Sequence, residues 1–173
     1  MSMPPTDALL QTLAANVRLF RGMTKPQLVS LLTAAERKTA PAGHFFFEEG
    51  EPGASFHVII GGSAAVFQKR NGRRIDLARL SAGDCFGEMC LVGMKTRSAT
   101  VRAMEDTLTL CFARERVDAL PGVAAAIYRN IATVLVSRLV QSNETVAELM
   151  LQHDDGEQQP HIYGIRPTRT PPT

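Results

Sequence analysis

The chain has 173 residues, 45% of them hydrophobic and 21% charged, with a formal net charge of +2. That length and apolar content suit one packed domain with an extension, and the nearly balanced charge gives no argument of its own for nucleic acid or an anionic membrane. No run approaches the ~18 consecutive apolar residues of a bilayer-crossing helix, and Met1-Ser2-Met3-Pro4-Pro5 has no basic-then-apolar signal pattern.

In chain order, Thr6 or Asp7 starts a first helix reaching about Asn16. Thr24-Lys25-Pro26-Gln27 reads as a second start, with a capping-box glutamine and a proline in the first turn. From about Glu36 the texture changes to short β-prone runs: Phe45–Phe47, Phe56–Ile60, Ala64–Phe67, Ile75–Ala78 and Thr107–Phe112. Their spacing predicts an antiparallel barrel or sandwich, and Asn71-Gly72 predicts a type I′ hairpin between two of them. Arg114 to Leu120 reads as a short helix ended by Pro121-Gly122. A long helix follows from about Val123 to Gln152, with Ile127, Ile131, Val134, Leu135, Leu139, Val146, Leu149 and Met150 as its apolar stripe. That stripe either lies wholly on its own domain or leaves part exposed as a dimer seam. Residues 153–173, with four prolines among polar residues, read as disordered.

The most informative stretch runs from Phe86 to Val101. Gly87-Glu88 leads into Met89-Cys90-Leu91, about one helical turn whose amide end suits an anion. Arg97 adds a permanently charged fork matched to phosphate oxygens, and Ser98 a hydroxyl donor. Glu88, an acceptor when ionised, repels a phosphate but takes hydrogen bonds from a sugar hydroxyl. The alternative for these two charges is a mutual surface salt bridge, worth little.

The segment resembles the phosphate-binding cassette of cyclic nucleotide-binding domains, whose pattern is roughly F-G-E-[LIM]-[AS]-L, a spacer, then R-[ASTC]-A-[TS]-V. Gly50, Gly53 and Gly62 also sit where that family places turn glycines, and Gly83-Asp84-Cys85-Phe86-Gly87 matches its approach to the cassette. The resemblance covers about Phe20 to Glu148. It implies an α+β fold, an eight-stranded antiparallel β jelly roll with N-terminal helices and a long C-terminal helix. The implied organisation is a helical segment over 1–35, the β-roll over 36–120, a lid or dimer helix over 121–152 and a tail over 153–173. It further implies that Glu88 holds the ribose and Arg97 the cyclic phosphate. Ser98 and Ala99 then line the phosphate, and Gly87, Met89 and Cys90 contribute backbone. Cys90 departs from the usual alanine or serine but is small enough to fit.

The helix stripe is interrupted at Gln141-Ser142-Asn143-Glu144-Thr145. In relatives this part of the helix is a lid over the base. Ser142 and Asn143 fall where one bacterial branch has a Thr-Ser pair on adenine, and Arg138 where that branch pairs an arginine with the ribose-binding glutamate. The plain alternative is a solvated helix face.

The remaining polar clusters are bland. Lys69 to Arg74 is a basic hairpin tip, and His44, His57, His153 and His161 form no metal spacing. Cys85, Cys90 and Cys111 match neither a zinc nor a redox pattern and read as buried thiols in a reducing cytoplasm. No nucleophile–base constellation stands out, so no enzyme is expected, and neither metal nor cofactor. The segment beyond His153 is too short and proline-rich for the helix-turn-helix module of the family's transcriptional regulators, so no nucleic-acid partner is expected either. The expectation is a stand-alone sensor for a cyclic purine nucleotide, cyclic AMP or alternatively cyclic GMP, with a homodimer through the long helix or an effector protein as partner. The rival expectation is a nucleotide-independent scaffold or regulatory subunit acting through the same helix.

Overall fold

The computed structural model describes residues 7–152, so the expected disordered tail and a cap at Thr6 lie outside the described residues. The chain opens with α1 (Asp7–Asn16), a 3-10 turn (Arg18–Phe20) and α2 (Lys25–Ala34). α2 begins as its sequence predicts. The Thr24 side chain accepts from the Gln27 amide, and Gln27 Oε1 accepts from the Thr24 amide at 2.8 Å.

Eight strands follow: β1 (Glu36–Ala40), β2 (Phe45–Phe47), β3 (Ser55–Gly61), β4 (Ser63–Arg70), β5 (Arg73–Ser81), β6 (Cys85–Phe86), β7 (Thr100–Ala103) and β8 (Thr107–Ala113). They form two antiparallel four-stranded sheets, ordered β1-β8-β3-β6 and β2-β7-β4-β5. This is the jelly roll. β4 and β5 pair down to Arg70↔Arg73, leaving Asn71 and Gly72 as a two-residue turn with φ of 52° and 74°. Positive φ at both positions is the type I′ geometry.

Period-two alternation sorts β3 between two cores. Ile59 points into the roll with Phe47, Ala64, Leu80, Phe86 and Val101. Phe56 and Val58 point out, against Leu19, Phe20, Leu31, Ile127 and Ile131 of the helical layer. Asn130, itself buried, donates to the carbonyls of Leu19 and Arg21 at 2.8 and 2.9 Å, pinning the last helix to the 3-10 turn.

Two helix boundaries differ from expectation. α3 ends at Asp118 (Arg114–Asp118), and α4 starts at Pro121 (Pro121–Gln152). Pro121 opens the last helix rather than closing the one before it, because a first-turn residue has no helical partner for an N–H and proline lacks one.

The described chain divides into two compact units within α4, the first reaching Val136 and the second beginning at Ser137. In the first, Val123, Ala126, Ile127, Ile131 and Val134 are buried. In the second, Leu139, Val140, Leu149 and Leu151 are exposed. By length and composition alone α4 is apolar enough to cross a bilayer, at a mean hydropathy of 1.4. A third of the window that gives this value is buried.

Candidate functional site

Gly87 makes the cassette's first turn. Its φ of 78° is left-handed, the region glycine occupies most readily. A 3-10 helix, Glu88–Cys90, follows directly. The expected single helical turn is present, and its carboxylate and thiol are both buried, Glu88 at 1% exposure and Cys90 at 1%.

Arg97 is placed by its backbone first. Its amide donates to Glu51 O at 2.8 Å, and its carbonyl accepts from the Gly50 amide at 2.9 Å. Pro52 and Thr96 form an isolated bridge beside them. The glycine-rich turn after β2 therefore acts as a rail along which the arginine segment lies.

The guanidinium then enters a fitted slot. Nη1 donates to Ser55 O at 2.7 Å and Gly87 O at 3.2 Å, and Nη2 donates to Ser55 Oγ at 3.2 Å. Its Cζ sits 4.0 Å from the Phe47 ring centroid. Two glycines leave the room. A Cβ on Gly87 would lie 2.6 Å from Nη1, and one on Gly53 would lie 2.8 Å from Nε and collide with Cys90 Sγ. Arg97 is only 7% exposed, and its Nε is buried with no partner among the described residues. With Glu88 buried as well, a solvated surface salt bridge between the two is excluded.

The rest of the cassette packs around this slot. Ser98 Oγ donates to Met89 Sδ at 3.3 Å, and Gln68 Nε2 donates to Ser98 O at 2.7 Å. Ala99 is buried. Gly87, Glu88, Met89, Cys90, Arg97, Ser98 and Ala99 thus form one contiguous cluster. Arg138, Ser142 and Asn143 lie on α4 beyond Val136, in the second unit, with Ser142 exposed and the other two half-buried.

A cavity of about 340 Å³, open past the exposed Lys38 and His44, is lined by Arg97 with Ser55, His57, Phe46, Lys38 and His44. Every titratable group on its wall is basic, which suits an anion. His57 lies parallel to Phe86, 4.9 Å between ring centroids, and its Nδ1 is 3.2 Å from Thr109 Oγ1. Burial, and secondarily the charges of Lys38 and Arg97, push its pKa down to about 3. The imidazole is therefore neutral at physiological pH. A larger cavity, about 570 Å³, opens between Phe45, Phe67, Arg70, Arg74 and Arg102, on the sheet face opposite Val66 and Val101. It touches neither Arg97 nor Glu88, so the smaller cavity is the one joined to the cassette.

Three participants were not singled out by sequence: Ser55, Phe47 and Gln68. Only the cluster of glycines from Gly50 to Gly62, which encloses Ser55, hints that this segment serves a purpose beyond turning.

Comparison with known proteins agrees with this geometry. Residues 37–121 match the model of the cyclic nucleotide-binding domain. Over these residues the chain belongs to that family. It is 31% identical over 126 residues to the cyclic AMP receptor protein of Thermus thermophilus, covering 72% of this chain and 58% of that protein. It is 23% identical over 142 residues to the CRP-like cAMP-activated global transcriptional regulator of Mycobacterium tuberculosis, covering 82% and 63%. The structure of Thermus thermophilus catabolite activator protein superposes with a TM-score of 0.69 at 30% identity, over 76% of this chain and 62% of that one. The chain thus spans about three-fifths of the length of these relatives.

Proposed function

We propose that this domain is a sensor that binds a 3′,5′-cyclic purine nucleotide, with cyclic AMP as the favoured ligand and cyclic GMP as the alternative. The observation that carries the reading is the pairing of a buried Glu88 and a buried Arg97 within one folded cassette, flanked by Gly87 and Ser98. A buried guanidinium with neutral partners is poised for a phosphate, and the Glu88 carboxylate elsewhere in the same cassette discriminates in favour of a sugar hydroxyl. In this reading Arg97 takes the phosphate with Ser98 and Ala99 beside it, and Glu88 takes the ribose. The cassette binds and performs no chemistry on its ligand. Two relatives named for cyclic AMP support the preference for adenine.

The same proposal assigns Arg138, Ser142 and Asn143 to the ribose-glutamate and base side, gives the protein a cytoplasmic location and passes the signal through α4. It assigns no nucleic acid, membrane, metal or cofactor to the domain. A second reading, a scaffold that works through α4 without nucleotide, is favoured by one observation: Leu139 and Val140 are about half exposed, at 55% and 49%.

Calorimetric titration with both nucleotides separates the readings. The sensor should bind cyclic AMP at micromolar concentration or tighter, and Arg97→Ala should weaken binding by about 10- to 150-fold, the loss of a charge-assisted hydrogen bond. No heat with either nucleotide leaves the scaffold reading standing.

A further inference from the structure

We propose that Ser55 and Phe47 are positioning residues for the anion site, holding the Arg97 guanidinium in place while leaving its charge intact for the ligand. The inference rests on Arg97 being the phosphate ligand.

Arginine has a long, flexible stem, and ordering it at the moment of binding lowers affinity. Here the ordering is already done. Ser55 grips both Nη atoms, one through its carbonyl oxygen at 2.7 Å and one through its hydroxyl at 3.2 Å. The Phe47 ring closes one face of the guanidinium at 4.0 Å. Both residues are themselves fixed. Ser55 opens β3 in register with Ala113 of β8, and Phe47 is buried in the roll with its ring 5.8 Å from Phe86.

The chemistry of the grip matters as much as its geometry. A carboxylate would orient an arginine equally well but would also neutralise it, and an incoming phosphate would then compete with that carboxylate. The hydrogen-bond acceptors around Arg97 are two backbone carbonyls, a hydroxyl and a weak thiol contact at 3.7 Å. Each is neutral. An aromatic face likewise attracts the cation without cancelling it. The adjoining cavity wall adds Lys38, His44 and His57, and no acid. The guanidinium is therefore held still at full charge.

The test is a calorimetric double-mutant cycle on the full chain with cyclic AMP and cyclic GMP, comparing wild type, Ser55→Ala, Ser55→Thr, Phe47→Leu, Arg97→Lys and Ser55→Ala/Arg97→Lys. Thermal melting of each variant checks that it is folded. Positioning predicts that Ser55→Ala weakens binding about five- to tenfold, that Ser55→Thr restores it to within about twofold, and that Phe47→Leu weakens it in the same direction. It also predicts that Ser55→Ala has no further effect once lysine replaces Arg97, since lysine cannot span both Ser55 oxygens. Unchanged or tighter binding by Ser55→Ala overturns the proposal, as does an equal loss in both backgrounds, which marks a merely structural serine. Should Ser55→Ala fail to fold, Phe47→Leu against Arg97→Lys decides by the same criterion. A wild type that binds neither nucleotide overturns the function itself and this inference with it; a wild type that binds while the cycle is additive overturns only the inference.

Discussion

His57 shows how a single side chain couples the site to the stability of the roll. Unfolded, a histidine takes its proton near pH 6.5; folded, His57 takes one only near pH 3. Between those values the unfolded chain binds one more proton, so the folded state loses stability as pH falls from about 6.5 toward 3, by up to about 1.4 kcal/mol per pH unit. Above pH 6.5 this group contributes no pH dependence. Urea unfolding at pH 7, 5.5 and 4.5 should show the loss, and His57→Phe should flatten the part of it owed to this ring. Ligand acts in the opposite sense. An anion beside Arg97 offsets one of the two charges that add to burial in lowering the pKa of His57, so nucleotide should raise it.

At the scale of elements, legibility tracked whether an element's signal was local. α2 was readable because Thr24 and Gln27 cap one another. Gln27 also donates through Nε2 to Gly122 O at 2.9 Å, joining the start of α2 to the start of α4. Thr24→Ala should cost about 0.5–2 kcal/mol in urea unfolding, and Gln27→Ala should cost more, because it removes the glutamine half of the capping box and the tether together. β1 was hard to read for the opposite reason. Glu36, Arg37, Lys38 and Thr39 are all exposed and carry no apolar alternation, and only the ladder to β8 makes them a strand. β6, at two residues, is likewise created by its partner. The cassette was legible as a turn with Glu88 and Arg97 in it, because their residue types stand out in the sequence. Ser55 and Phe47 were not, since they reach Arg97 from 42 and 50 positions away and only the fold brings them there.

For the whole molecule, the second half of α4 carries a pattern of its own. Val136, Leu139, Asn143, Val146 and Met150 are spaced three and four residues apart, the a and d positions of two short heptads. Val136 and Leu139 are more than half exposed in the single chain. Asn143 then falls at an a position, where a polar residue specifies register and partner number. The same asparagine is thus where the heptad pattern and the proposed base contact coincide. Sedimentation should find a dimer at micromolar concentration, and Leu139→Glu should shift it to monomer. If the seam and the base share Asn143, Asn143→Ala should alter both association and nucleotide preference.

None of the three cysteines, Cys85, Cys90 and Cys111, is in a disulfide, and all three are buried. None meets an alkylating reagent until its surroundings open, so each modification rate is a clock for one region. Cys85 and Cys111 time the β-roll, on strands β6 and β8. Cys90, in contact with Arg97, responds to opening of the cassette as well as to unfolding of the whole. The protein therefore carries an intrinsic reporter that separates local breathing of its binding loop from unfolding of its frame, with no label added.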